Sequence, residues 1–187
     1  LPLLAGPILY ARGSDDRICR LSALVVVRAG EGAPRLIPDD GEAPSARMIA
    51  RYEGHEVFAY DFELPVRPQA GYELEGRRHE VATDLFGDVR IAFVSCNGQE
   101  NGDETRSHED RDVMWRRLAA EHRTRPFALL LHGGDQLYAD EAMDAHPETR
   151  RWAELDIDRK PGVDWTRAME EAVRGYFFRR YLALIRQ

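Results

Sequence analysis

Two short segments of this 187-residue chain bring together side chains that can hold a metal ion. The first is Ser95-Cys96-Asn97-Gly98, and the second is His132-Gly133-Gly134-Asp135-Gln136-Leu137-Tyr138-Ala139-Asp140. A thiolate, a carboxylate and a phenolate meeting at one point form a hard, anionic donor set suited to ferric iron or another strongly Lewis-acidic ion. Such an ion makes water nucleophilic near neutral pH, and a second cation sharing Asp135 would neutralise phosphoryl oxygens in an in-line displacement. The glycines before Asp135 let the backbone turn sharply, and Tyr138 can fold back towards the same point.

The neighbouring residues each have two readings. Asn97 is either an amide donor to a substrate phosphoryl oxygen or a loop residue in the left-handed region. His132 either orients a metal ligand through a hydrogen bond or is a satisfied strand-end histidine. His108, Glu109 and Asp110 could add a ligand, or simply occupy a helix first turn, where acids suit the positive terminus. Asp140 and Glu141 could hold calcium or form a solvated acidic loop.

Strand ends must deliver these groups. Residues 89–95, apolar without a break from 91 to 94, are read as a strand buried on both faces, and 127–132 as a second. Between them Ser107 and Asp110 have capping-box spacing, Val113, Met114 and Leu118 give an apolar stripe through His122, and Pro126 stops the helix. Strand, helix and strand predict a βαβ unit with parallel strands and a right-handed crossover. Open parallel sheets bind ligands beyond the carboxyl ends of their strands, where Cys96 and Asp135 lie. Asp164 is expected to cap a last helix running to Gln187, with Trp165, Met169, Ala172, Val173, Tyr176, Phe177, Tyr181, Leu184 and Ile185 at core spacings.

Up to about Asp84 the texture differs. Strand-like runs at 8–12, 18–28, 35–38, 46–52, 55–64 and 72–81 are punctuated by Gly13 to Asp16, Gly30 to Pro34, Asp39-Asp40-Gly41 and Glu53-Gly54. They predict a small antiparallel sandwich of immunoglobulin or fibronectin type III character.

Composition bounds the rest. Hydrophobic residues make up 43% and charged residues 32%, an ordinary globular balance. The apolar runs at 24–27 and 129–131 fall far short of the ~18 residues that span a bilayer, so no membrane span is expected. With 26 Lys+Arg against 33 Asp+Glu the formal charge is −7, and no basic block offers a nucleic-acid track. Cys19 and Cys96 make no disulfide framework, and Cys19, in a β pattern, is expected in the core. No leader precedes the first strand, but the chain opens on Leu1, which leaves compartment open. Oligomeric state is equally open.

The run Ile91-Ala92-Phe93-Val94-Ser95-Cys96, followed by Leu129-Leu130-Leu131-His132-Gly133-Gly134-Asp135-Gln136-Leu137-Tyr138-Ala139-Asp140, resembles the start of the catalytic domain of PhoD-like phosphatases (alkaline phosphatase D), in the calcineurin-like metallophosphoesterase superfamily. The Gly-Asp-x-x-Tyr element is also similar to that of purple acid phosphatases. Gly6-Pro7-Ile8-Leu9-Tyr10 and the sandwich-like region resemble the family's amino-terminal domain, and Tyr176 to Gln187 the helix before its next metal-binding strand. The resemblance implies a mixed fold: an immunoglobulin or fibronectin-III-like β-sandwich over 1–86, then the first part of an α/β metallophosphatase sandwich over 87–187. It implies hydrolysis of phosphate mono- or diesters by a metal-activated hydroxide. The site would be dinuclear or multinuclear, with Fe(3+) and Ca(2+) or another divalent cation, and Cys96, Asp135 and Tyr138 match its ligand positions, Asp135 as the bridge. No Gly-Asn-His or Asp-Asp-His occurs in this sequence. The Asn and His ligands are therefore expected beyond Gln187, in a longer enzyme, with this segment alone incomplete.

Two competing expectations come from other classes. One is a non-catalytic β-sandwich binding or assembly module with an inert α/β segment. The other, a nucleotide-binding βαβ fold, is disfavoured because neither Gly-x-Gly-x-x-Gly nor a P-loop follows either strand.

Overall fold

Alternation of apolar and polar residues every second position makes the amino-terminal part β-structure. In the computed structural model, which describes residues 2–97 and 105–186, seven strands form there. They are β1 (Ala5–Ser14), β2 (Ile18–Arg28), β3 (Leu36–Pro38), β4 (Arg47–Tyr52), β5 (His55–Pro65), β6 (Gly71–Leu74) and β7 (Arg77–Glu80). One antiparallel sheet has the order β1-β2-β5-β4 and a second the order β3-β6-β7.

The longest ladder sets the register. β2 and β5 pair antiparallel from Ile18 opposite Pro65 to Arg28 opposite His55. A slip of one residue would turn every inward side chain outward, so the buried faces specify this register. Cys19, Leu21, Ala23, Val25 and Val27 on β2 and Phe58, Tyr60, Phe62 and Leu64 on β5 pack with Leu36, Tyr72 and Leu74 of the other sheet in one core. Cys19 is buried as its pattern predicts, and burial pushes its thiol pKa up. Tyr60 is buried too, but its hydroxyl donates to the Pro34 carbonyl at 2.6 Å, so its polar atom is satisfied.

The single run expected at 72–81 is two strands. Glu75 and Gly76, at φ 48° and 76°, fold it into a two-residue hairpin. Positive φ at both central positions matches the right-handed twist of the flanking strands. A Glu in the first position obscures the signal that Asn or Asp would have given.

The remainder holds β8 (Ile91–Val94), α1 (His108–Arg111), α2 (Val113–Thr124), β9 (Leu129–His132), a 3₁₀ turn (Asp140–Ala145), α3 (Pro147–Ala153), a second 3₁₀ turn (Lys160–Gly162) and α4 (Arg167–Ile185). β8 and β9 form a two-stranded sheet. The Ala128 amide donates to the Arg90 carbonyl and the Cys96 amide to the Gly134 carbonyl. Both partners thus advance in the same direction, which makes the pair parallel, as expected. The described residues divide into two compact units, 2–94 with 121–131 and 186, and 95–97 and 105–120 with 132–185.

Several expectations are corrected here. The strands read as buried on both faces are not: Ile91 is 49%, Phe93 69% and Leu130 47% exposed, and only Ala92 of this pair is buried. Burial on both faces needs a layer on each side, and two strands do not receive that cover among the described residues. The helix begun at Ser107 breaks at Asp112 into α1 and α2. Its cap holds, with the Asp110 amide donating to Ser107 Oγ at 3.1 Å and that hydroxyl to Asp110 Oδ2 at 2.8 Å. The expected stripe of Val113, Met114 and Leu118 buries nothing fully, since α2 has no buried residue. α4 is capped by Thr166, whose Oγ1 accepts from the Met169 amide, and not by Asp164. Met169, Gly175 and Leu182 are its buried residues, while Trp165, Phe177 and Tyr181 from the expected stripe are exposed. Gln187, the expected end of that helix, lies outside the described residues.

The fold is therefore mixed and sheet-rich, with antiparallel sheets and few helices. No helix among the described residues is long and apolar enough to cross a membrane.

Two stability effects follow from the core. Replacing the fully buried Leu64 by Ala should lower unfolding free energy by about 2 to 5 kcal/mol in urea denaturation, because a cavity adds to the lost transfer energy. Burial raises the pKa of Tyr60 and of Tyr72 from 10 to about 12. A phenol with a raised folded-state pKa holds its proton more tightly when folded, so its contribution is whole below pH 10 and is lost as pH climbs through 12. Stability should fall across that window, and the Tyr60→Phe/Tyr72→Phe variant should fall less steeply in the same pH series.

Candidate functional site

The parallel ladder continues past both strands. Beyond the Cys96 amide's bond to Gly134, the Asn97 amide donates to the Asp135 carbonyl, both at 2.9 Å. Two loops that leave neighbouring strand ends are thereby held side by side.

This pairing requires unusual backbone. Cys96 has φ 67° and Asp135 φ 50°, both left-handed, and Gly134 between the strand end and Asp135 has φ 139°. Asp tolerates that region better than most residues, but Cys has no such preference, and left-handed non-glycine backbone costs about 1 to 3 kcal/mol. Such strain persists where surrounding structure over-determines it, and here the two inter-loop hydrogen bonds do so. The left-handed position expected at Asn97 is one residue earlier, at Cys96.

The side chains complete the cluster. Cys96 Sγ and Tyr138 Oη are hydrogen-bonded, either atom being able to donate. Cys96 is an exposed free thiol, Asp135 is exposed and Tyr138 is half-buried, so the cluster faces solvent. The structure joins Cys96 to Tyr138 through side chains, and Asp135 to the Cys96 loop through its backbone. Among the described residues no three His, Cys, Asp or Glu side chains are grouped to hold a metal. A shell built on Cys96, Asp135 and Tyr138 contains only two such residue types plus a phenol.

The surrounding residues are assigned more sharply. Asn97 Oδ1 accepts from Trp115 Nε1 at 2.9 Å, and its Nδ2 donates to the Gln136 carbonyl at 3.4 Å. Its amide thus ties α2 to the Asp135 loop. His132 stacks on Trp115, with ring centroids 6.2 Å apart, and its Nδ1 is buried without a hydrogen-bond partner. The Glu109 carbonyl accepts from Arg116, and Asp110 serves the cap at Ser107. Glu141 Oε2 accepts from Tyr176 Oη at 2.8 Å, which secures the 3₁₀ turn after Tyr138 to α4. Gly98 and the side chain of His108 lie outside the described residues.

Sequence reasoning missed Trp115. Its signal was the spacing Asp112, Trp115, Arg116, Ala119, a helical face other than the apolar stripe.

No protein-family model matches the chain, and no solved structure matches it. The chain is 23% identical, over an alignment of 210 positions that covers 96% of its length, to the uncharacterized protein YGR266W of Saccharomyces cerevisiae. It spans 29% of the length of that relative.

Strain at Cys96 gives a ranked prediction. Cys96→Gly and Cys96→Ala both lose the contact with Tyr138, but only Gly adopts φ 67° freely. The Gly variant should be more stable than the Ala variant by up to about 1 kcal/mol in chemical denaturation, despite glycine's greater unfolded-state entropy. The reverse order would remove backbone strain from the account.

Proposed function

We propose that this chain is part of a metal-dependent phosphoester hydrolase of the PhoD-like kind, within the calcineurin-like metallophosphoesterases. On this reading residues 1–86 are an immunoglobulin or fibronectin-III-like sandwich, and 87–187 open the α/β catalytic domain. The observation that carries it is the contact of Cys96 Sγ with Tyr138 Oη where two parallel strands end, beside a left-handed Asp135. Strained, solvent-facing residues at the carboxyl ends of parallel strands are where open α/β sheets place their chemistry.

The donor set suits a cation. Losing both protons, the Cys96 thiolate and the Tyr138 phenolate would repel each other unless a cation lay between them. Cys96, Tyr138 and Asp135 would hold Fe(3+), with Ca(2+) or another divalent cation in a dinuclear or multinuclear site. Bound, such ions supply Lewis-acid activation of water and neutralise charge developing on a phosphoryl group. The protein's own contribution is positional. The two backbone bonds between the loops fix the separation of Cys96 and Asp135, Asn97 locks the Cys96 loop to Gln136 and Trp115, and the Tyr176 bond to Glu141 holds the segment after Tyr138. The remaining Asn and His ligands belong, on this reading, to a longer chain.

Ferric titration of the intact protein, read by visible absorption and metal analysis, tests the reading. A phenolate-to-iron band should appear and be lost in Tyr138→Phe. Asp135→Asn should cut hydrolysis of an aryl phosphate or bis-aryl phosphodiester by about 100-fold or more. Absence of both iron and hydrolysis in the intact protein would favour the non-catalytic sandwich module instead.

A further inference from the structure

Beside the strand-end cluster lies a cavity of about 510 Å³ that the chemistry above leaves unused. Its described lining is Asn97, Asp112, Trp115, Arg116, Ala119 and Leu184, all within the second unit. Its volume falls in the range of small-molecule sites, roughly 300 to 1,000 Å³. Asn97, which lines it, follows Cys96 in the chain and bonds to the Gln136 carbonyl of the Asp135 loop.

The walls have a definite chemistry. Asp112, at the break between α1 and α2, has a buried Oδ1 with no hydrogen-bond partner. A buried acceptor left unpaired is costly, and a carboxylate oxygen more so than a neutral one. Trp115 offers a flat wall that is already oriented, by its stack on His132 and its bond to Asn97. Ala119 and Leu184 supply apolar surface, and the Arg116 guanidinium is engaged by the Glu109 carbonyl. A flat ring edged with an N–H donor meets all of these demands. A plain hydrocarbon would leave Asp112 unsatisfied.

We infer that this cavity receives a heteroaromatic group bearing an N–H donor, of the nucleoside-base type, with the ring against Trp115 and the N–H on Asp112. Resting on the phosphoester reading, this makes the substrate class an ester whose organic part carries such a base. The phosphoryl group would then extend past Asn97 towards Cys96, Asp135 and Tyr138.

Adenosine, which has no phosphate, probes the cavity independently of hydrolysis. Trp115 is one of three tryptophans in these 187 residues, so its signal is read as the difference between the intact protein and its Trp115→Phe variant. Saturable fluorescence quenching by adenosine is expected, with purine riboside, which lacks the exocyclic N–H, binding about tenfold more weakly. Asp112→Ala should bring the two ligands to equal affinity, while the comparison on unsubstituted Asp112 tests the proposal even if that variant folds poorly. No saturable quenching, or equal affinity for both nucleosides, would overturn it. In turnover, a 4-nitrophenyl adenosine phosphodiester should show a KM about tenfold below that of bis(4-nitrophenyl) phosphate. Hydrolysis of both at equal KM overturns the cavity's role and keeps the phosphoester reading. Adenosine binding without hydrolysis of either supports the cavity and overturns that reading.

Discussion

Two amide protons decide how the second unit presents its chemistry. Those of Cys96 and Asn97 go to the carbonyls of Gly134 and Asp135, beyond the point where β8 and β9 end as regular strands. Because the pairing is parallel, both chains leave the sheet at the same edge, and their first loop residues become neighbours. Those bonds hold Cys96 and Asp135 side by side in left-handed backbone, with the thiol in contact with Tyr138.

The two units solve the burial problem differently. In the first, strands whose side chains alternate between solvent and interior pack their inner faces into one core, where the buried Tyr60 hydroxyl has a partner. The second unit has few buried side chains on its helices and keeps unpaired buried atoms at Asp112 Oδ1 and His132 Nδ1. Polar atoms of that sort are rarely left unpaired in a settled core. Both residues neighbour Trp115, His132 by ring stacking and Asp112 by lining the same cavity.

Much of the amino-terminal region was legible in the sequence. The strands β2 and β5 are read from runs at 18–28 and 55–64, and burial of residues such as Val25, Tyr60 and Leu64 excludes a one-residue slip between them. The placement of Cys96 and Asp135 at adjacent strand ends was legible as well, from uniform apolar runs closed by glycine. Less legible was the hairpin at Glu75-Gly76, where a charged residue occupies a left-handed turn position. The exposure of Phe93 and Leu130 was not legible at all, because an apolar run declares what a strand can bury and not what covers it. The same reason defeats the apolar stripes of α2 and α4.

By itself the sequence determined which residues could donate to a cation, which segments could be strands, and that two of those strands end beside their donors. These depend on side-chain type and local periodicity, which are properties of short stretches of chain. Only the tertiary structure decided that Cys96, and not Asn97, takes the left-handed position, that Asn97 spends its amide on Trp115 and Gln136, and that Asp112 faces a cavity. Each of those depends on where a second segment, distant in sequence, supplies or withholds a hydrogen-bond partner. No local pattern encodes that, because the partner's position is set by strand pairing and helix placement together.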